Sequence, residues 1–291
     1  MKKIYALGPQ GTNGHEAARM AADMLRLKHP NEPTEVSFLS QNAEVLELAA
    51  REGCFGVVPI ENSSAGLVSE VVKFWLHRID AAVPLYVIGE VLLPVEHHLL
   101  VHPDIRDVKD LVGVISHPQA LSQCAKKLDN LGLQIRMPSS STAGAAVEVA
   151  TNSANRQIGA LASRLAGEIN GLHLIKSHLE DFPGNATRFH LVGPYAMRPT
   201  GNDRTAVIFL VPDRPRSLLN MLGCIGAEEV NMSSIHSIPL GFPGEYAFYS
   251  EFSCHAQDKR GTRILKSMKA FSDRVIILGS YSRGPGLKKG V

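Results

Sequence analysis

The chain has 291 residues, and its 30 basic and 28 acidic side chains give a formal net charge of +2. This balance gives no sign of the clear basic excess that nucleic-acid binding requires, and no segment reaches the roughly 18 uninterrupted apolar residues that span a membrane. The length is enough for two or three domains of about 100–150 residues each.

Residues 1–193 alternate between strand-like and helix-like segments. Their apolar patterns predict strands over residues 3–7, 35–39, 56–60, 85–92, 97–101, 112–115, 135–137, 158–160, 172–175 and 190–192. The helical periodicity predicts helices over residues 16–27, 45–49, 68–76, 118–131, 142–151 and 163–169. Strands that alternate with helices of this length predict an α/β fold with a mainly parallel sheet covered on both faces.

A different pattern follows a polar, Pro- and Gly-containing linker at residues 195–203. It predicts strands over residues 205–211, 232–238, 246–252 and 274–278, and helices over residues 215–226 and 262–271. The resulting βαββαβ order is that of the ferredoxin-like split βαβ arrangement.

The four cysteines lie far apart and form no Cys-x-x-Cys pair. This spacing is typical of reduced thiols in a cytoplasmic protein rather than of disulfides or a zinc site. The N-terminal residues have the pattern of a first strand rather than of a signal peptide. The sequence therefore predicts a cytoplasmic location.

Polar loops follow several predicted strands, where open α/β sheets bind their ligands. In the first loop, residues 8–14, either Thr12 or Asn13 can cap the following helix, and Asn13 with Glu16 resembles a capping box. Free N–H groups at such a helix start attract anions, although a structural turn is the alternative. The Gly-Lys-Ser/Thr ending of a nucleotide loop is missing.

Three further polar loops precede predicted helices. They contain Glu61, Asn62 and Ser63 in one loop, Gln119 in a second, and Ser141 and Thr142 in a third. For each loop the alternative to ligand binding is simple helix capping.

The segment of residues 181–189 ends with a hydroxyl, a cation and an aromatic ring in succession, Thr187, Arg188 and Phe189. It leads into the strand predicted over residues 190–192. The first two side chains are suited to holding an anion and protonating a leaving group, whereas Phe189 is suited to core packing. Plain structure at the start of a strand is the alternative interpretation.

The sequence predicts no metal, no cofactor and no covalent nucleophile. The twelve histidines include no His-Glu-x-x-His spacing. Because His97 and His98 are adjacent on a predicted strand, they point to opposite faces and cannot chelate one ion. No Gly-x-Ser-x-Gly elbow is present, and no Gly-x-Gly-x-x-Gly follows the first strand.

Six motifs in chain order resemble those of the prephenate dehydratase family. They are Gly8-Pro-x-Gly-Thr12, Val57-Val-Pro-Ile-Glu-Asn-Ser63 with Gly66, Gly89-Glu90 with His98-Leu-Leu100, Ser116-His-Pro-Gln-Ala-Leu-x-Gln-Cys124, Ser141-Thr-Ala-x-Ala-Ala146, and Asp181-x-x-x-Asn185-x-Thr-Arg-Phe189. The C-terminal part resembles an ACT regulatory domain.

The resemblance implies a fold with two parts. The catalytic region, residues 1–194, resembles a two-lobed periplasmic-binding-protein fold of type II. Lobe one is expected over about residues 1–80 plus 176–194, and lobe two over about residues 81–175. A ferredoxin-like ACT domain is expected over residues 203–285.

The resemblance also implies a function, the decarboxylating dehydration of prephenate to phenylpyruvate in L-phenylalanine biosynthesis. Thr187 is then expected to help protonate the departing hydroxyl, and Arg188 to supply positive charge. The expected substrate-binding residues are Thr12, Glu61, Asn62, Ser63, Gln119, Ser141, Thr142 and Asn185. The family needs no metal or other cofactor, because the product's aromaticity supplies the driving force.

The partners that the resemblance implies are the dicarboxylate prephenate, an amino-acid effector at the ACT domain, and further copies of the chain in a homodimer or homotetramer. Two alternatives stay open. One is an enzyme similar to prephenate decarboxylase, which keeps the ring non-aromatic. The other is a ligand-binding ACT regulator without turnover.

The chain departs from the family pattern in two places. After Thr12 the family usually has an aromatic residue and then Ser or Thr, whereas Asn13-Gly14 stands here. The effector motifs, Gly-Ala-Leu and Glu-Ser-Arg-Pro in the family, are replaced by Arg216-Ser217-Leu218 and His236-Ser237-Ile238-Pro239. We therefore expect phenylalanine to inhibit the enzyme weakly or not at all.

Overall fold

Three sheets organise the chain, two of them in the region before residue 194 and one after residue 202. The computed structural model describes residues 2–28, 33–78, 83–152, 156–242, 244–272 and 274–284. The predicted end of the C-terminal unit at residue 285 lies outside the described residues.

Most of the predicted strands are present in the structure. The strands are β1 (Lys2–Leu7), β2 (Thr34–Leu39), β3 (Phe55–Asn62), β4 (Gly66–Leu67), β5 (Tyr86–Pro94), β6 (His98–Val101), β7 (Gly113–Ser116), β8 (Arg136–Pro138), β9 (Ile158–Ala162), β10 (His173–Lys176), β11 (Ala186–Gly193), β12 (Asp203–Leu210), β13 (Met232–Pro239), β14 (Tyr246–Phe252) and β15 (Arg274–Ser282).

The helices are α1 (Asn13–Lys28), α2 (Asn42–Arg51), α3 (Ser69–His77), α4 (Pro118–Gln123), α5 (Ala125–Asn130), α6 (Thr142–Thr151), α7 (Arg164–Asn170), α8 (Ser217–Gly226) and α9 (Lys259–Phe271). The helix predicted over residues 118–131 is therefore two short helices that meet at Cys124. None of the helices in the described ranges is long and apolar enough to cross a membrane.

The first sheet has the order β2-β1-β3-β11-β5, with β4 added to β3. Strands β1, β2 and β3 are parallel, but β11 runs antiparallel to both β3 and β5. The sheet is therefore mixed rather than mainly parallel as predicted. The reason is that β11 brings the chain back from the second lobe and enters the sheet in the opposite direction.

The second sheet has the order β10-β6-β9-β7-β8 and forms the core of the second lobe. The predicted boundary between the lobes needs correction, because β5 pairs with β11 and so belongs to the first lobe. The first lobe contains the strands up to Pro94 together with β11, and the second contains those from His98 to Lys176. The two-lobed α/β arrangement itself is as predicted.

The C-terminal unit is an antiparallel sheet of order β13-β14-β12-β15 with the element order βαββαβ. One face buries Phe209 and Phe252 against α8 and α9. On the other face, Tyr249 and Leu278 share a buried core with Trp75 of the first lobe. The unit is thus packed directly on the first lobe and completes its core.

Candidate active site

A cavity of about 430 Å³ lies between the two lobes. Most of the predicted substrate-binding residues line it together with Thr187; these are Thr12, Asn62, Gln119, Ser141, Thr142 and Asn185. Residues on β3, β11 and α1 reach it from the first lobe, and residues at the starts of α4 and α6 reach it from the second. The structure thus brings together loops that lie more than a hundred positions apart in the chain.

The Thr187 hydroxyl is held by a hydrogen bond in which it is the acceptor. Asn62 donates its side-chain N–H to Thr187 Oγ1 at 2.9 Å. This amide cannot be turned around, because its Oδ1 already accepts the backbone N–H groups of Ser64 and Ala65 at 3.0 and 2.9 Å. The proton of the Thr187 hydroxyl is given to no described residue and is left for a molecule in the cavity.

Two residues flank this pair and fix its position. Asn62 also donates to Asn185 Oδ1 at 2.9 Å. Ser63 does not line the cavity; its hydroxyl donates to the same Asn185 oxygen at 3.1 Å and accepts the backbone N–H of Ala186 at 3.0 Å. Ser63, which the sequence analysis placed at the substrate, therefore orients Asn185 instead.

Two helices begin at the cavity, one from each lobe. Ser141 caps α6 by accepting the N–H of Gly144 at 2.8 Å. Thr12 donates its hydroxyl to Pro9 O at 2.9 Å and accepts the N–H of His15 at 3.3 Å at the start of α1. A helix start carries unpaired N–H groups and a partial positive charge of about half an elementary charge. The cavity is therefore suited to an anion with a negative group at each end.

The first turn of α1 packs closely against β1, which accounts for the glycine at position 14. A Cβ atom on Gly14 would lie 2.5 Å from Leu7 O, so only glycine fits. Gly11 has φ 85° and packs on Ala166 of the second lobe. Ser163 also donates its hydroxyl to Gly11 O at 2.8 Å, which joins the lobes directly beside the cavity.

Among the described residues, no lysine or arginine lines the cavity. The ionisable side chains there are His97 and His117, and burial lowers the pKa of His97 below its usual value. The His97 ring nitrogen Nε2 lies 3.0 Å from Gln123 Oε1. Sequence reasoning missed both His97 and Gln123 as cavity residues. The available signal was that Gln123 lies four positions after Gln119, on the same face of a helix.

Arg188 does not point into the cavity, contrary to the role predicted for it. Successive side chains of a strand point to opposite faces, so Arg188 lies behind the sheet when Thr187 lies in front. Its guanidinium donates to Glu251 at 2.8 Å and to Glu61 at 2.9 Å. Glu61, predicted to bind substrate, pairs with Arg188 across β3 and β11 and therefore also lies outside the cavity.

The effector-site equivalents lie in the C-terminal unit, away from this cavity. Arg216 precedes α8 with a left-handed backbone, φ 70°, and Ser217 and Leu218 open that helix. His236, Ser237, Ile238 and Pro239 form the end of β13, where Ile238 is buried in the core shared with the first lobe. Within the described ranges no group of His, Cys, Asp and Glu side chains is arranged to hold a metal ion.

Residues 4–196 match the family described as prephenate dehydratase. The chain is 34% identical over 250 residues to arogenate dehydratase 2 of Petunia hybrida, an alignment that covers 79% of this chain and 61% of that protein. It is 27% identical over 282 residues to a bifunctional chorismate mutase/prephenate dehydratase of Aquifex aeolicus, covering 97% of this chain and 74% of the relative. The chain thus spans less than two thirds of the petunia protein.

Among the solved structures that resemble the chain over nearly its full length, two are 26% and 27% identical to it. One, described as GqqA, a novel type of quorum quenching acylase, has a TM-score of 0.82 at 26% identity and covers 98% of this chain and 99% of its own. The other, a prephenate dehydratase from Arthrobacter aurescens in complex with L-Phe, has a TM-score of 0.77 at 27% identity and covers 97% and 90%.

Proposed function

Because this chain belongs to the prephenate dehydratase family, we propose that it converts prephenate to phenylpyruvate with loss of water and carbon dioxide. The observation that carries the proposal is the Thr187 hydroxyl, which accepts from Asn62 and has its own proton available inside the cavity between the lobes. The reaction needs an acid at one position and binding groups for two carboxylates. The cavity offers these elements.

The two substrate carboxylates are held by neutral donors in this proposal. The start of α1 takes one carboxylate and the start of α6 takes the other, since both helix starts line the cavity and attract anions through free N–H groups. Asn185 and Gln119 add side-chain amides that bind the carbonyl and hydroxyl oxygens. A dianion is bound without a fixed cation beside it, so the departing carboxylate is not held back by a strong ion pair.

Thr187 donates its proton to the substrate hydroxyl as the ring carbon–oxygen bond breaks and water leaves. The carbon–carbon bond to the ring carboxylate breaks in the same event, its electron pair enters the ring, and carbon dioxide departs. Asn62 stabilises the charge that develops on Thr187 Oγ1 through its N–H at 2.9 Å. Solvent then returns one proton to Thr187, so the overall reaction consumes one proton.

Apolar side chains complete the cavity and favour the loss of carbon dioxide. Val68, Val95, Ala120 and Phe189 line it next to the polar groups. Moving a charged carboxylate from water to such a surface costs free energy, whereas neutral carbon dioxide has no charge to desolvate. The mixed lining therefore supports decarboxylation together with dehydration.

The similar structure of GqqA is described as an acylase, but an acylase reaction is less well supported for this chain. Acyl transfer needs a nucleophile beside a general base. Thr187 has an amide donor rather than a base as its partner. The two cavity histidines pair with other groups, His97 with Gln123 Oε1 at 3.0 Å and His117 with the backbone N–H of Gln119 at 3.3 Å. The dehydratase proposal uses this arrangement, and the acylase reaction does not.

The proposal is tested with the purified full chain, prephenate and arogenate in parallel assays. We expect phenylpyruvate from prephenate, measured by the absorbance of its enolate in base. Carbon dioxide release without an aromatic product would instead select an enzyme similar to prephenate decarboxylase. Saturable prephenate binding without any product would select a ligand-binding regulator.

We further propose that the C-terminal unit is an ACT domain and that the chain is a cytoplasmic homodimer or homotetramer. The βαββαβ order supports the first part, and the similar prephenate dehydratase structure in complex with L-Phe supports an amino-acid effector. The four cysteines, none in a disulfide, are typical of a reducing compartment.

We expect micromolar L-phenylalanine to leave the turnover of prephenate unchanged. Arg216 has the left-handed backbone that glycine adopts without cost, and it stands where the family motif has glycine. The change from glycine to arginine adds bulk at a position where the family motif lets its backbone approach a ligand. The measurement is the initial rate with and without the amino acid, and inhibition at micromolar concentration would contradict the prediction.

A further inference from the structure

Strand β11 separates the active-site cavity from the C-terminal unit. Thr187 and Phe189 line the cavity on its front face. On its rear face Val192 belongs to the buried core shared with the C-terminal sheet, and Arg188 contacts a carboxylate of that sheet. A single layer of backbone thus lies between the proposed acid and the C-terminal unit.

A charge cluster occupies the rear face behind Thr187. We use this name for Arg188, Glu61, Glu90, Arg204 and Glu251. Arg188 donates to Glu251 at 2.8 Å, to Glu61 at 2.9 Å and to Glu90 at 3.4 Å. Arg204 donates to Glu90 at 2.8 Å and lies 3.4 Å from Glu251. The cluster therefore joins three strands of the first lobe to two strands of the C-terminal sheet.

Glu251 is the most deeply buried member, with 0% of its surface exposed. Its Oε1 accepts the hydroxyls of Tyr249 and Tyr281 and lies 3.5 Å from His190 Nε2. Burial alone raises the pKa of the Glu251 carboxyl, but the hydrogen bond from His190 and the charge of Arg188 outweigh it and hold that pKa below its usual value. Glu251 is thus a fixed negative charge whose nearest cation is Arg188 at 2.8 Å, with Arg204 at 3.4 Å.

We infer that Arg188 is a positioning residue, and that its ion pair with Glu251 makes the C-terminal unit necessary for the placement of Thr187. The inference rests on the proposed dehydratase function. Separating a buried ion pair leaves an uncompensated charge and is costly. Arg188 therefore cannot change its position while Glu251 is charged and the C-terminal sheet is packed on the first lobe. Since Arg188 and Thr187 are adjacent in a strand, a shift of the first moves the second.

The test is the Glu251→Gln variant of the full chain, compared with Glu228→Gln. Glu228 pairs with Arg263 at 2.8 Å within the C-terminal unit and touches no residue of the charge cluster, so it is a matched control. We expect Glu251→Gln to lower kcat about 10- to 100-fold, the size of effect that a small misplacement of a reacting group produces. We expect KM to stay close to the wild-type value, because the substrate-binding loops are unchanged.

A readout that does not depend on activity is amide hydrogen exchange over residues 186–193. We expect faster exchange there in Glu251→Gln and no change in Glu228→Gln. A double-mutant cycle with Arg188→Met is expected to be non-additive in kcat, because either change breaks the same pair. If Glu251→Gln does not fold, Tyr281→Phe is the milder variant to use, because it removes one hydroxyl donor to Glu251. It is expected to lower kcat as well, by a smaller factor.

The outcomes separate the two proposals. A wild-type enzyme without dehydratase activity would overturn the proposed function, whatever the exchange data show. An active wild type, with kcat and exchange of Glu251→Gln and Tyr281→Phe matching those of Glu228→Gln, would overturn the positioning role. Loss of stability with kcat unchanged per folded molecule would show a purely structural cluster and would equally overturn it.

Discussion

Replacing Thr187 with valine is expected to lower kcat by about 10²- to 10⁴-fold, the usual contribution of a general acid, or some 3–5 kcal/mol of the barrier. Valine has nearly the shape of threonine but no proton to donate. The fold is expected to survive, because Asn62 keeps its hydrogen bonds to Asn185 Oδ1 at 2.9 Å and Ala186 O at 3.3 Å. The measurement is steady-state formation of phenylpyruvate.

Thr187→Ser is the matched control for this experiment. It keeps the hydroxyl and removes one methyl group, so most of the activity should return even though packing is slightly poorer. A valine variant that turns over prephenate as fast as the wild type would remove Thr187 from the reaction. Circular dichroism of both variants separates loss of chemistry from loss of structure.

The second large effect is expected for Gly279→Ala, which forces the C-terminal sheet away from the first lobe. A Cβ atom on Gly279 of β15 would lie 2.2 Å from the backbone oxygen of Val87 in β5 and 2.8 Å from its nitrogen. Backbone cannot give way as a flexible side chain can. We expect the free energy of unfolding to fall by at least about 3 kcal/mol, the upper part of the range for overpacking a core.

Gly223→Ala is the corresponding control, because a Cβ atom there meets no atom within 4 Å. In the interior of α8 alanine is favoured over glycine by about 1 kcal/mol, so this variant should be as stable as the wild type or more so. Thermal unfolding compares the two variants. Equal melting temperatures for Gly279→Ala and the wild type would contradict the close contact between β15 at Gly279 and β5 at Val87.

The sequence predicted the elements well where local pattern decides them. The helix over residues 142–151 has the predicted bounds, because Ser141 is a strong cap followed by an alanine-rich run. The βαββαβ order after residue 202 is also found in the structure. Each of these segments has an apolar period that fits one type of element and one face.

Local sequence pattern could not predict which strands pair with each other. The segment that became β5 was assigned to the second lobe, although it pairs with β11 of the first. Its partner lies nearly a hundred positions away, and nothing in either strand alone identifies the other. For the same reason the direction of β11, and with it the mixed sheet, could not be read from the sequence.

Arg188 does not face the cavity, contrary to prediction, and the sequence contained the signal for its true direction. The apolar run predicts a strand that begins at His190 and places Thr187 and Arg188 at its mouth, where both side chains are free to enter the cleft. In the structure β11 begins at Ala186, and alternation then sends the two side chains to opposite faces. Starting the predicted strand earlier would have separated the acid from the cation.

The place of β11 between β3 and β5 also bears on how the protein is made. A ribosome that adds about 5–20 residues per second needs on the order of ten seconds to synthesise residues 95–185, and throughout that interval β3 and β5 wait with open edges. Unpaired apolar edges of this kind invite pairing with other chains. The nascent first lobe therefore needs shielding until β11 emerges, and the active site is complete only after the C-terminal strand that carries Glu251 has been synthesised as well.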